Sequence, residues 1–402
     1  MPSQENYAIR PLNTGDVEQY NALLRYAFQI TEQELSECGW QDDEIKQSKF
    51  PVLERADVLG CFDGNDLVSQ IAVYPLKMNI YGVVYPVGFV TSVCTYPEYS
   101  GRGIMKRLMH QSLEHMRQRQ QPVALLFPYS IPLYRKMGWE IISNKISYTV
   151  KDRQIPSQLQ APGRVHRVNW DNEDFRNLHA QFAAATHGCL FRNALAWEEY
   201  WCWDEDDTVV AIYYDAAGKP SGYMVYLIKD DIMYVKEMIY LTREAQQGLW
   251  EYIHAHDSMI DEVRGSSYYS DPIAFELDDG DIRETIRPYI MGRIVDAEQF
   301  FPKYRCDPTA ENVTIAFEIE DHFLPWNNKT VTVLFHRGEC SLSAAAAKHH
   351  VKLSIATLTA LMLGYKTATK LQRLGRIEGE ERAVRLLDDV LLHEAPYISD
   401  YI

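Results

Sequence analysis

The sequence predicts a mixed α/β (α+β) chain built from two similar units and a third, different one. Three observations predict it. Runs of β-branched and aromatic residues alternate with runs of helical apolar spacing. Part of that order occurs twice, over residues 1–150 and 151–287, while residues 288–402 follow another pattern. The 402 residues and a 46% hydrophobic content suffice for two or three domains with a sizeable core.

The first unit opens with a strand over residues 7–11. Thr14 is read as the cap of a helix that places Val17, Leu23 and Leu24 on one face. Thr31-Glu32-Gln33-Glu34 resembles a capping box for a second helix. Tyr26, Phe28 and Trp40 are read as core residues in preference to pocket walls. Strands follow at 56–62, 67–80 and 85–95, joined by the hairpin residues Asp63-Gly64-Asn65 and Tyr81-Gly82. Pro97 ends the last of them because it has no donor for the ladder. Gly101 and Gly103 then allow a tight turn into a helix whose apolar stripe is Met105, Met109, Leu113 and Met116. Residues 123–127 form an apolar run short enough for a buried strand. Pro128 and Pro132 bracket Tyr129, Ser130 and Ile131, Tyr134 sits on a short helix, and residues 139–150 close the unit as one or two strands.

Residues 151–164, with Pro156 and Pro162-Gly163, read as a linker. The second unit then has a helix over 172–186, strands over 208–214, 222–229 and 232–240, and a helix over 242–258. No glycine turn separates Tyr240 from Thr242, so this unit reads as a copy without a phosphate cradle. Trp197, Trp201 and Trp203 are assigned to a core or domain contact. The third unit opens at 289–296, continues as strands over 312–318, 329–335 and 340–342, and has helical spacing over 353–374. The chain ends in an apolar, aromatic tail, Pro396 to Ile402, which predicts a docked rather than a frayed terminus.

Charge and cysteines narrow the function. A net charge of −16 argues against nucleic acid as a partner, because phosphates need a basic surface. It would suit a cationic substrate by steering, although an acidic cytosolic protein explains it as well. The seven cysteines are odd in number and contain no C-x-x-C pair, which points to a reducing, cytoplasmic setting. No signal peptide is read at residues 1–6, and no apolar run reaches the length of a membrane span. His110 and His115, or the adjacent His349 and His350, lack ligand spacing, so no metal is expected.

The strand from Val87, the glycine turn and the helix that carries Met105 to Met116 hold the chemistry. A helix opening at a glycine turn presents unpaired N–H groups and its positive dipole end, a site suited to phosphate. Arg102, Lys106 and Arg107 add charge beside it. The turn lacks the third glycine of the dinucleotide fingerprint and the Gly-Lys-Ser/Thr of a P-loop.

The turn resembles motif A of the GNAT acetyltransferases, R/Q-x-x-G-x-G/A, with Ser100, Gly103 and Met105 at the three marked places. The downstream segment Tyr134-Arg135-Lys136-Met137-Gly138-Trp139 resembles that superfamily's Y-x-x-x-G-aromatic segment. With the degenerate second copy and a third unit similar to a sterol carrier domain, the whole chain resembles the enhanced-intracellular-survival (Eis-like) family. That family's V-x-V-x-P-x-x-R-R-R-G is matched at Val93, Pro97, Arg102 and Gly103. Thr95, Ser100 and Gly101 depart from it.

The resemblance implies tandem GNAT folds and a direct transfer of acetyl from acetyl-CoA to an amine. The acceptor would be an aminoglycoside, a polyamine, or a lysine or peptide amine. It implies pantetheine contacts at Val93, Cys94 and Thr95, and diphosphate contacts at Gly101, Arg102, Gly103, Ile104, Met105 and Lys106. Tyr129 and Ser130 would line the cleft. Tyr134 would be the general acid and the Ile402 carboxylate the base. A homo-oligomer, a closed hexamer, is implied as well. Cys94 as a nucleophile is disfavoured, since transfer in these enzymes is direct. The chemistry is consistent with the assigned roles: a phenol of pKa about 10 holds a proton for the leaving thiolate, and burial raises the basicity of a carboxylate. A backbone N–H at or near Val93 would serve the oxyanion. Two alternatives remain: a non-catalytic acyl-CoA or lipid sensor, and a longer-chain N-acyltransferase.

Overall fold

The computed structural model describes residues 7–31, 33, 42–157, 159–202, 207–269 and 272–402. Trp40, Trp203 and half of the capping box expected at 31–34 lie outside these.

The first unit contains β1 (Ala8–Pro11), α1 (Val17–Phe28), α2 (Asp42–Arg55), β2 (Asp57–Asp63), β3 (Asp66–Ile80), β4 (Val83–Thr95), α3 (Ile104–Gln118), β5 (Val123–Leu126), α4 (Ile131–Arg135) and β6 (Glu140–Ile141). Asn13, not Thr14, caps the entry to the first helical stretch, accepting from the Gly15 N–H at 2.9 Å. The β3–β4 hairpin turns at Tyr81 and Gly82, whose φ values of 50° and 82° are the left-handed pair that a tight hairpin needs.

The second unit comprises β7 (Asn144–Lys151), β8 (Arg164–Val168), α5 (Glu173–Ala185), β9 (Leu190–Phe191), α6 (Ala194–Trp201), β10 (Val209–Tyr214), β11 (Pro220–Lys229), β12 (Ile232–Tyr240), α7 (Arg243–His254), β13 (Glu262–Ser267) and β14 (Arg283–Pro288). The remainder is β15 (Met291–Ile294), α8 (Ala297–Phe300), β16 (Val313–Glu320), β17 (Thr330–His336), β18 (Glu339–Leu342), β19 (His349–Ser354), α9 (Ile355–Met362), α10 (Ala368–Arg373), β20 (Ile377–Gly379) and α11 (Glu381–Val390).

Among the described residues these strands form three sheets. Their orders are β1-β2-β3-β4-β5-β15-β6 with β9 on β3, then β14-β7-β13-β12-β11-β10-β8, then β18-β17-β16-β19-β20. Two segments depart from the sequence expectation. Residues 144–151, expected to close the first unit, pair with β13 and β14 of the second sheet. Residues 291–294, expected to open the third unit, lie between β5 and β6 of the first. The crossing is fixed where Ile142 donates its N–H to Ile290 and the Ser143 hydroxyl accepts from Ile290. Hydrophobic alternation gives a strand two faces but does not select its neighbour.

The helix expected over 353–374 is broken into α9 and α10 at Gly364, whose φ is +73°. A Cβ there would stand 2.2 Å from the Glu394 carbonyl oxygen. Gly364 closes α9 locally, its N–H donating to Leu361 and that of Tyr365 to Ala360, and the tail packs against the turn.

That tail is docked. Tyr397, Ile398 and Asp400 are buried. Tyr81 donates its hydroxyl to the Leu392 carbonyl at 2.9 Å, and the Tyr397 N–H donates to His187 at 2.9 Å. Arg192, fully buried, donates Nε to Asp400 at 2.6 Å and grips Glu237 through both terminal nitrogens at 2.6 and 3.0 Å. One apolar cluster, from Leu12 through Phe175 and Phe317 to Ile398, runs through all three units.

His187 stacks on Tyr81 with centroids 3.8 Å apart, accepts the Tyr81 N–H at Nδ1 and lies 3.1 Å from the Leu363 carbonyl at Nε2. The ring is therefore neutral with its proton on Nε2. Burial pushes its pKa down to about 4, with the Leu363 hydrogen bond working in the opposite sense. The unfolded chain binds more protons between that value and 6.5, so stability is full above pH 6.5 and falls as pH drops towards 4. The loss from this group is about 3 kcal/mol. Urea unfolding at pH 7 and pH 4.5 should show it, and His187→Gln should lose that part of the slope; an unchanged slope in the variant would remove His187 from the effect.

Candidate active site

Strands β4 and β5 run parallel and are paired from Val87–Val123 to Val90–Leu126. There β5 ends, while β4 continues to Thr95. At the parting Ser92 has φ +54° and the register with β3 shifts. The Ser92 hydroxyl accepts from buried Tyr20 at 2.9 Å, which anchors this strained residue. Beyond it, Ser69 donates to the Cys94 carbonyl at 2.8 Å, and the Tyr96 N–H donates to Val68 at 3.1 Å. Cys94 and Tyr96 therefore face β3. By strand alternation the backbone groups of Val93 and Thr95 face the other edge, where β5 no longer lies.

Past Pro97 the chain reaches Gly101 and Gly103, each with φ +76°, and none of the described residues stands within 4 Å of the place of a Cβ at either. Gly103 is the N-cap of α3 and offers no side-chain cap. The N–H groups of Ile104, Met105 and Lys106 thus belong to an uncapped first turn. Ile104 is buried and Met105 packs on the core beneath, so these two present only main chain to the turn. Lys106 is exposed. The Arg102 guanidinium is engaged by the Tyr7 hydroxyl and the Glu98 carbonyl, beside the Tyr99 ring. In the second unit the equivalent helix α7 is capped by Thr242, whose hydroxyl accepts from the Ala245 N–H at 3.1 Å. That self-satisfied end is not a comparable anion site.

Tyr134 is 5% exposed and packs edge-on against Trp139. Its hydroxyl makes no hydrogen bond among the described residues. Burial pushes the phenol up to about 12, with neighbouring Cys94 adding to the effect; burial likewise lifts the Cys94 thiol to about 12. The Tyr134 helix is braced from behind. Buried Arg293 of β15 bonds the Met137 carbonyl and Asp321, and Glu140 joins Arg135 to Arg376 of the third unit. Gly138, at φ +80°, leaves the room that Arg293 occupies. Ser130 is the N-cap residue of α4, and Tyr129 is 98% exposed.

Ile402 packs, half-buried, against the shared core. The preceding Tyr401 ring meets Phe127, the residue after β5, at 5.1 Å. The tail therefore ends beside the mouth where β4 and β5 part. From Phe127 and Tyr401 a cavity of about 1000 Å³ extends across one face of the second sheet. Lys145, Lys236, Arg264, Arg283 and Arg287 line it, against Glu199 and Glu237.

The sequence-derived site residues thus fall into two groups: Val93 to Lys106 around the parting and turn, and Tyr134 behind it with Ile402 at the end of the tail. Ser92, Arg192 and the cavity cations were not found from sequence. A positive φ at serine leaves no trace in composition, and Lys145 and Arg287 lie 142 residues apart in the chain.

Comparison with known proteins adds the family. Residues 8–142 and 188–294 each match an acetyltransferase (GNAT) domain, and residues 297–399 match a sterol carrier protein domain. An N-acetyltransferase of Streptomyces avermitilis is 23% identical over the full length of both chains. A probable N-acyltransferase of Enterococcus faecalis is 26% identical, with a TM-score of 0.90 over 99% of this chain and 100% of that one. Eis1 of Mycobacterium abscessus shares the fold at 19% identity, with a TM-score of 0.82 over 98% of this chain and 100% of that one. The chain belongs to the GNAT N-acetyltransferases, with two acetyltransferase domains followed by a sterol carrier protein domain.

Proposed function

We propose that the chain transfers acetyl directly from acetyl-CoA to a primary amine. The observation that carries this is the parting of β4 from β5 beside an uncapped helix end. Val93 and Thr95 offer main-chain groups to a pantetheine arm that adds to the strand edge. The turn at Gly101 and Gly103 leaves room for a diphosphate on the first N–H groups of α3. Because Arg102 is engaged elsewhere and Ser100 and Gly101 carry no charge, main-chain donors dominate there.

The neutral amine attacks the thioester carbon, the C–N bond forms, and the Val93 N–H supports the oxyanion. The amine proton passes to the Ile402 carboxylate. As the C–S bond breaks, Tyr134 protonates the leaving sulfur, and solvent returns the proton from carboxylate to phenolate. Burial raises the Tyr134 pKa, so the phenol holds its proton at neutral pH and has one to give.

Three outcomes test this reading. Tyr134→Phe should lower kcat by about a hundredfold with little change in the KM for acetyl-CoA; wild-type turnover would remove Tyr134 from the chemistry. Gly103→Val strains a left-handed position and fills the turn, so the KM for acetyl-CoA should rise about tenfold or more while the acceptor KM holds. Extending the chain beyond Ile402 by two glycines displaces the carboxylate; kcat should collapse while the melting temperature stays within a few degrees. Full activity of the extended chain would exclude a terminal carboxylate base.

A further inference from the structure

The cavity that opens at Phe127 and Tyr401 has a lining opposed in sign to the chain as a whole. Strands β14, β7, β13 and β12 lie side by side, and their register builds rows across one face. Arg283 stands opposite Thr149, Thr285 opposite Ser147, and Arg287 opposite Lys145. Ser266 continues the middle row beyond Ser147. Ile146, Tyr148 and Val150 turn to the other, buried face. A sheet face of hydroxyls and cations results, inside a chain of net charge −16.

The two carboxylates of the lining have hydrogen-bond partners of their own. Glu237 is held by Arg192 and accepts from Tyr223 at 2.8 Å; burial alone would lift its pKa, but Arg192 outweighs that and holds it low. Glu199 accepts from the Tyr74 hydroxyl at 2.8 Å. Lys145, Arg283 and Arg287 have no carboxylate partner among the described residues. Lys145 is half-buried over the Tyr268 and Tyr289 rings, at 5.9 and 5.8 Å, and burial lowers its pKa. A partly desolvated ammonium without a counter-ion is costly in itself and is compensated when an anion arrives. Tyr289 in turn meets Phe127 at 5.6 Å. Lys145 therefore stands about one aromatic ring away from the Phe127–Tyr401 end of the cavity, with Arg287 opposite it in register.

We infer that the acceptor is a small primary amine that also carries an anionic group, a carboxylate or a phosphate, held by Lys145 and Arg287 while its amine reaches the Tyr401–Ile402 end. A cavity of about 1000 Å³ fits a small molecule. This names the acceptor class for the acetyl-transfer reading above and rests on it.

The experiment uses the full chain and matched acceptors: 6-aminohexanoate against hexylamine, and glucosamine 6-phosphate against glucosamine, with spermidine as a cationic control. In the first arm acetyl transfer is followed by CoA release. The anionic member of at least one pair should show a kcat/KM about tenfold or more above its neutral partner. The pair that responds distinguishes carboxylate from phosphate. In the Lys145→Ala/Arg287→Ala double variant that ratio should fall towards one, and in Arg287→Glu the preference should move towards spermidine. In the second arm, binding of the same compounds is measured by calorimetry without acetyl-CoA. Anion-dependent binding that the double variant loses, with no transfer to any amine, would uphold the charge inference and defeat the transferase reading. Transfer to spermidine or the neutral amines at equal or better efficiency, with no anion-dependent binding, would overturn the inference and leave the transferase reading intact. A ratio unchanged in both variants, each folded by its circular dichroism and melting temperature, would also overturn it.

Discussion

The strained turn of β4 at Ser92 is the constraint on which the site depends. Two parallel strands ordinarily continue their ladder until one of them ends in a loop. Here β4 outlasts β5 and shifts its register on β3 at the same place. A residue at φ +54° is unfavourable for serine by about 1–3 kcal/mol. Tyr20 and Ser69 hold the conformation on the β3 side, through the Ser92 hydroxyl and the Cys94 carbonyl. The result is an edge whose donors are aligned but, among the described residues, have no neighbouring strand. Protein interiors rarely leave such groups without a partner, so the edge is an opening shaped for one.

Around that opening the three units are interlocked rather than strung together. The first sheet receives β15 from beyond the second, and the second receives β7 from the end of the first. The tail then returns from the third unit between both. Its anchor is a buried guanidinium shared by two carboxylates, with one Asp400 oxygen left without a partner. Such a cluster is an inefficient source of stability, because desolvation offsets much of the attraction. What it supplies is register. An apolar tail could slide by a residue at little cost, but Asp400 cannot leave Arg192 without stranding a buried charge. Fixing Asp400 fixes Tyr401 against Phe127 and Ile402 one residue on.

The sequence made local features legible and left pairing across the chain hidden. The hairpin at Tyr81-Gly82, the glycine turn and the stripe of α3 are short-range patterns, and each is found where its residues predict. The allocation of 144–151 and 289–296 failed because a strand's own residues encode its faces and not its neighbour. The break at Gly364 is a local signal that the reading over 353–374 passed over: a left-handed glycine closes the helix with its own last turn. Within the site, Gly101, Gly103 and Tyr134 were visible as motif positions. Ser92 was not, because its conformation goes with a bulge against β3 and an anchor on Tyr20, both distant in the chain.

Charge illustrates the same distinction between composition and placement. A net −16 describes the long-range field, which salt screens beyond about 10 Å. A cavity is governed by the groups within that distance, and by which of them already have partners. Glu237 is in the lining yet is bound to Arg192, which it shares with Asp400, whereas Lys145 and Arg287 face each other across β7 and β14 with no carboxylate partner among the described residues. Two like charges placed opposite on paired strands destabilise each other unless something negative lies between them. The net charge describes the field outside; the sheet face beneath carries the opposite sign in Lys145, Arg283 and Arg287.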